Sequence, residues 1–411
     1  MERRLAAAVM ETFREDTAQG HGARLSAFPL RAWTANFYWL DASGMALYFL
    51  DRVKNLDIED ALPELVLQRL DRNLTDNRLR MQEIFAEFVK INTAFQDAGL
   101  PFVNLKGFSL VPEYCADPAL RFQSDLDFLV AHRDAQRCRE VLGRLGYVLT
   151  GVSNRQWEFK AGAGELPGIQ DLYKAKPQRC VEVRFAPSTK NAEEGCAAQA
   201  RTMTWNGFSF PALATIDAFY AQALHLQKHL RSEWTRAAWL LEYKNFVIAR
   251  KQDAGFWRDV KEKESTVPEG KAALGVATLL ATTVFGKFAP PALSDWAVNE
   301  LAHPVRMWVE RYGHEVLLSD FPGTKLYLLF PDGPAQRKGS VQKNRRERLF
   351  PLHRAPSIVH GPAKKGFPAR ARRGWMQAGF VLFRLRFHLR QGLRYMLEAP
   401  RWKKIVAASQ Q

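Results

Sequence analysis

Apolar residues recur at three- and four-residue spacing through Ile84, Phe88, Ile91, Phe95 and Ala98, and Gly99 follows in the position of a C-cap. The first hundred residues are helical in pattern, and this amphipathic helix closes them. Short segments of strand character come next, at residues 102–105, 126–130, 156–160 and 181–185. A short helix is expected between the first two, and a longer one over 133–145 is ended by Gly146. Helical periodicity returns over 216–250 and continues with interruptions through Trp257, 272–285 and 293–318. Residues 331–374 lose periodicity and fill with Pro, Gly and basic residues, the pattern of a linker. In the last segment, 375–402, Trp375, Ala378, Leu382, Leu385, Leu389, Leu393 and Met396 form an apolar helical stripe beside Arg386, Arg390 and Arg394.

This order of elements predicts an α+β protein: a small mixed β-sheet core with helices, a mostly α-helical region, and a basic C-terminal tail. The expected divisions are a helical region at 1–99, an α/β core at 100–212, a helical domain at 213–330, a linker at 331–374 and a basic amphipathic helix at 375–411. With 411 residues, 47% of them hydrophobic, the chain can bury one large or two ordinary cores, which excludes disorder throughout. Four cysteines without a CxxC pair exclude a disulfide scaffold and point to a reducing compartment. The opening MERRLAAAVMETFRED lacks the long apolar stretch of a secretory signal. The uncharged run at 272–286 spans 15 residues, short of the roughly 20 that a membrane span needs. A cytoplasmic protein is expected.

The charge is concentrated at one end. Of the net +16, residues 333–411 hold 19 Lys and Arg against two acids, Glu347 and Glu398, which leaves the body near neutrality. A neutral body with a cationic tail points to an anionic partner for the tail, either nucleic acid or a membrane surface. A free helix of this kind lies on an anionic bilayer, which would place the protein peripherally at the inner face of the membrane. The alternative is an apolar stripe docked on the body with its arginines in water.

Chemistry gathers in the stretch LKGFSLVPEYCADPALRFQSDLDFLV, residues 105–130. Asp125 and Asp127 are two apart in a strand-like segment, so both carboxylates point to one face while Leu126, Phe128 and Val130 point to the other. Two adjacent carboxylates repel unless a cation lies between them, and hard oxygen ligands suit Mg²⁺, or Mn²⁺. Glu182, alternating with Val181 and Val183, offers a third acid on a neighbouring strand, with Asp171 in reserve. Three such acids suffice for two metal ions. Upstream, Lys106 and Gly107 end the first strand and Ser109 follows in an expected helical turn. A glycine at that corner admits phosphate oxygens to the backbone, and Arg121 adds a positive contact. His225 and His229, four apart on one helix, have zinc-compatible spacing but no third ligand, which favours a role lining the interface between helices and sheet. Arg236, expected on the same helix, joins them as a candidate.

The ordered series L-K-G, Tyr114, D-P-A-L-R at 117–121 and S-D-L-D-F-L-V at 124–130 resembles the nucleotidyltransferases of the DNA polymerase β-like superfamily. More narrowly, it is similar to the uncharacterised bacterial group often encoded among polysaccharide-synthesis genes. The resemblance covers roughly residues 60–250 and includes the E-V-R segment and the helix carrying H-x-x-x-H. It implies transfer of a nucleotidyl group from a nucleoside triphosphate to an acceptor, with Asp125 and Asp127 binding two metal ions and Glu182 binding one. Lys106, Gly107, Ser109 and Arg121 would then contact the nucleotide. In the family's usual pattern serine directly follows the glycine, whereas here Phe108 intervenes and Asp125 lies 18 residues beyond Gly107. Arg184 stands where the narrower group commonly has a histidine, on the same strand face as Glu182 and positioned to pair with it. The same residues admit a second reading, a non-catalytic scaffold on this fold tethered by its tail.

Overall fold

The computed structural model describes residues 2–14, 20–153, 155–162, 172–174, 179–185, 200–331, 345, 347–349, 351 and 367–409. Asp171 and most of the expected linker at 331–374 lie outside these described residues. Seven strands form one mixed sheet: β1 (Phe102–Asn104), β2 (Leu126–Val130), β3 (Val148–Val152), β4 (Gln156–Ala161), β5 (Arg179–Phe185), β6 (Ala200–Trp205) and β7 (Phe208–Leu213), in the order β3-β4-β5-β2-β1-β7-β6. β2 runs antiparallel to β1 and parallel to β5, in a register that sets Asp127 opposite Glu182.

Alternation decides which face is buried. Phe128 and Val130 of β2 and Val181 and Val183 of β5 enter an apolar cluster with Phe88, Ile91 and Phe95 of helix α5 (Glu64–Asp97), the periodic positions that announced that helix in the sequence. Phe95 meets Phe128 edge-on with ring centroids 5.2 Å apart, and Phe88 meets Phe210 at 4.8 Å. The other face of β2 and β5 carries the acids.

A second, larger core lies outside the sheet. Helices α1 (Arg3–Glu11), α2 (His21–Ser26), α3 (Leu30–Ala42) and α4 (Met45–Asn55) share it with α7 (Thr215–Leu230), α8 (Ala237–Ala249), α9 (Ala254–Glu262) and α10 (Gly270–Phe285). Helix α6 (Ala135–Arg144) instead backs the sheet through Cys138, Val141 and Leu142. The final helix, α11 (Phe367–Ala408), reaches the larger core through Trp402.

Four sequence expectations change. The helix expected between β1 and β2 is instead two 3₁₀ turns, Gly107–Leu110 and Pro118–Leu120. Pro112 and Pro118 break that segment before an α-helix can form. The single helix expected over 216–250 is two helices, α7 and α8, parted at 231–236, so Arg236 occupies the N-cap position of α8 and does not share a helix with His225. Strands β3, β6 and β7 were not legible. The final helix begins earlier and ends later than 375–402.

Two close contacts hold the site's frame. Asn104, buried in β1, donates through Nδ2 to Asn92 Oδ1 at 2.7 Å and to the Pro211 carbonyl at 2.8 Å, which ties β1 to α5 and β7. Asn92 in turn donates to the Phe88 carbonyl at 2.8 Å. At the other end, Gly323 has φ +101°, and a Cβ there would fall 1.7 Å from the Glu233 carbonyl oxygen. The next residue, Thr324, donates its backbone N–H to that same oxygen at 2.9 Å.

Replacing Asn104 by leucine strands buried acceptors on Asn92 and Pro211, so Asn104→Leu is expected to cost about 1–3 kcal/mol. In urea titration the midpoint should fall with an unchanged slope.

Candidate active site

The acids converge. Asp125, just ahead of β2, Asp127 in β2 and Glu182 in β5 each present a carboxylate oxygen, and these oxygens lie within 4.8 Å of one another. Although its strand face points away from the apolar core, Asp127 is only 6% exposed. Its cover is cationic: Arg184 donates through one terminal nitrogen to Asp127 Oδ1 at 3.2 Å and lies 3.5 Å from Glu182 Oε2. Lys106 Nζ sits 3.6 Å from the same Asp127 oxygen. The backbone fixes Lys106 there, because Leu105 donates its N–H to the Asp127 carbonyl at 3.0 Å.

Burial pushes the Asp127 carboxyl above the usual carboxylate range; Lys106 and Arg184 draw it back while Asp125 adds to the rise. Glu182 is raised first by burial and then by repulsion from Asp127 and Asp125. Lys106 is pulled down by burial, with Asp127 opposing. Repulsion among the three acids adds to burial in disfavouring their full ionisation. Three hard oxygen donors so arranged could hold a metal ion, and an ion held by Asp127 and Glu182 would share them with Arg184.

The acids open into a cleft of about 400 Å³ between the sheet and the helices. Five cationic side chains, Lys106, Arg121, Arg184, Lys228 and Arg236, line it together with the three carboxylates. Gly107 also lines it with φ +69°, but the space a Cβ would take is filled by Gln123, whose Nε2 would stand 2.5 Å away. Gln123 donates to the Asp125 carbonyl at 2.9 Å, so what the glycine admits in this structure is the side chain that steadies the acidic loop. Arg80 braces that loop from α5, donating to the Gln123 carbonyl with its guanidinium over the Phe122 ring.

Two expected phosphate contacts sit differently from the rest. Ser109 is buried in its 3₁₀ turn, donates its hydroxyl to the Lys106 carbonyl at 3.2 Å, and is not part of the cleft lining. Arg121 lines the cleft but donates through Nε to Glu242 Oε1 at 3.0 Å, an oxygen that also accepts from the Tyr48 hydroxyl. Burial draws its guanidinium pKa down, but Glu242 together with Tyr48, Cys115 and Asp125 outweighs it, and the net shift is upward.

The helical wall is partly aromatic. His225 and His229 both line the cleft, 4.5 Å apart between ring centroids, and each lies 4.6 Å from the Trp239 ring. Among the described residues the only cluster with three metal-ligand atoms is the acidic one, so the two histidines act as cleft lining. Arg236 is held among Phe122, Trp234 and Trp239, at 5.3–5.7 Å from their centroids, and its Nε is buried without a hydrogen-bond partner. Gln123, Lys228, Trp234 and Trp239 escaped the sequence reading. Lys228 had a signal available, since it follows His225 by three residues on the same helix.

A family model described as an uncharacterised nucleotidyltransferase matches residues 29–286, which include both walls of this cleft. No curated protein matches the chain.

The two histidines make the fold acid-sensitive. Burial, aided by nearby Lys106 and Lys228, pushes His225 down to about 2 and His229 down to about 4, so both rings are neutral in the fold at pH 7. In the unfolded chain they take up protons near about pH 6.5. Their contribution is therefore complete above that pH and is lost as pH falls, at no more than about 1.4 kcal/mol per pH unit for each ring. The thermal midpoint should drop between pH 7 and pH 5 more steeply in wild type than in a His225→Gln/His229→Gln variant.

Proposed function

Because the chain belongs to the uncharacterised nucleotidyltransferase family, we propose that it is a metal-dependent enzyme that moves the nucleoside monophosphate of a nucleoside triphosphate onto an acceptor hydroxyl in this cleft. The observation that carries the reading is the meeting of Asp125, Asp127 and Glu182 at the floor of a cleft with cationic walls. These three acids would hold Mg²⁺ or Mn²⁺. When bound, the metal lowers the pKa of the attacking hydroxyl and neutralises charge on the departing pyrophosphate.

The chain's own residues supply the remainder. Lys106, Arg121, Arg184, Lys228 and Arg236 offer fixed positive charge to phosphate oxygens. Already in place before substrate arrives, they need little reorganisation as charge develops in the transition state. Lys106 and Arg184 hold the Asp127 carboxylate in a set orientation. The bond from the α-phosphorus to pyrophosphate breaks as the acceptor oxygen bonds to that phosphorus and its hydroxyl proton passes to water, with no protein nucleophile required. The acceptor is a sugar or polysaccharide precursor, a small metabolite, a protein side chain or an RNA end.

Arg184 favours a second reading. A guanidinium shared by Asp127 and Glu182 occupies part of the metal's place, as expected of a non-catalytic scaffold that keeps the fold.

Labelled nucleoside triphosphates with Mg²⁺ and an acceptor panel separate the two. Catalysis predicts metal-dependent release of pyrophosphate by wild type and a loss of about 10²–10³-fold or more in Asp125→Asn/Asp127→Asn. Arg184→Gln should lower the Mg²⁺ concentration needed for half-maximal turnover. The scaffold reading predicts no turnover by any of the three proteins. Removing the Asp127 charge leaves the half-buried Lys106 without its partner, so the thermal midpoint of Asp125→Asn/Asp127→Asn at pH 7 should fall below that of wild type, and turnover is compared at a temperature where both proteins are folded.

A further inference from the structure

Helix α11 docks on the body through one face and leaves the opposite face bare. On the docked side, Trp402 is buried in the larger core and packs edge-on against Tyr312, with centroids 5.5 Å apart. Tyr312 donates to Glu398 Oε2 at 3.2 Å, and the Thr324 hydroxyl donates to Gln391 Oε1 at 3.1 Å. Arg394 pairs with Glu315, and His388 is buried. These residues share one side of the helix, so its rotation about its own axis is fixed.

The apolar stripe lies on the other side. Trp375, Leu382, Leu385, Leu389 and Leu393 are between 53 and 82% exposed. From Trp375 to Leu393 the stripe runs about 27 Å along the helix. A bare row of large side chains this long is unusual on a protein surface and marks a partner's place. Arg386, Arg390, Lys403 and Lys404 are exposed beside and beyond it, and Glu398, on the docked side, is the helix's one acid. Among the described residues no helix is long and apolar enough to cross a membrane.

We infer that α11 is a docking surface for an anionic lipid bilayer, lying flat in the headgroup layer with its leucines inserted and its arginines and lysines on lipid phosphates. Two features select this occupant. Nucleic acid would satisfy the cations but leave the leucines in water. A second copy of the helix would cover the leucines but bring cation against cation, with no exposed acid on either copy to answer. An anionic bilayer satisfies both surfaces at once.

The test uses the full-length protein and vesicles of phosphatidylcholine with or without phosphatidylglycerol. Wild type should sediment with the anionic vesicles at least tenfold more strongly than with neutral ones. Leu389→Glu/Leu393→Glu should lose at least tenfold of that partitioning, with an unchanged thermal midpoint because both side chains already face solvent. Arg386→Glu/Arg390→Glu should lose binding to anionic vesicles. The inference is overturned if wild type stays in the supernatant with anionic vesicles, or if the double leucine variant sediments as well as wild type. It is equally overturned if sedimentation velocity shows a dimer that the leucine substitutions dissociate while vesicle binding is absent, or if the protein retains duplex nucleic acid through this helix and no vesicles. None of these outcomes depends on nucleotide turnover.

Discussion

Three carboxylates at close quarters, one of them almost out of water, are the constraint on which the rest of this structure depends. Like charges at such separations repel, and the low polarity around Asp127 magnifies the repulsion. The fold tolerates them because Lys106 and Arg184 come within about a hydrogen bond's reach of the same oxygen. Neither cation is an ornament of the surface. Each is delivered by a strand or strand end whose backbone is paired to β2, so the balancing charges are as firmly placed as the acids they balance.

That placement is inherited from an ordinary apolar core. The residues opposite the acids on β2 and β5 pack against α5, and the Asn92–Asn104 pair locks the same helix to β1. The acidic loop ahead of β2 is then trimmed by Gln123, seated over Gly107, and by Arg80 from α5. One long helix thus steadies both sides of the site through unrelated contacts, one apolar and one polar.

The sequence carried the parts of this arrangement that obey short periods. Alternation over 125–130 and 181–185 was enough to place the acids on one face and to anticipate that Arg184 would meet Glu182. The 3.6-residue period of α5 was equally plain. What it could not carry is what distance in the chain conceals. Asp127 reads as exposed because its cover comes from Lys106 and Arg184, and no local pattern says that those cations fold over it. Arg121 reads as a free cation because Glu242, its partner, lies 121 residues away. Ser109 reads as the start of a helix because it follows a glycine corner, but Pro112 and Pro118 limit the segment to two 3₁₀ turns. In α11 both stripes were visible, but the face that meets the body is a third one, through His388, Gln391, Glu398 and Trp402, chosen by Tyr312 and Thr324, which no helical pattern points to.

Gly323 gives the molecule a seam without padding. The backbone of the 319–330 segment rests directly on the Glu233 carbonyl, one residue before Trp234 at the cleft rim, and the neighbouring Thr324 holds Gln391 of α11. Side chains ordinarily cushion such a junction and let two parts shift by rotamer changes. Here there is none to yield, so the terminal helix and the lip of the cleft are set at a common angle, and whatever orients one aims the other.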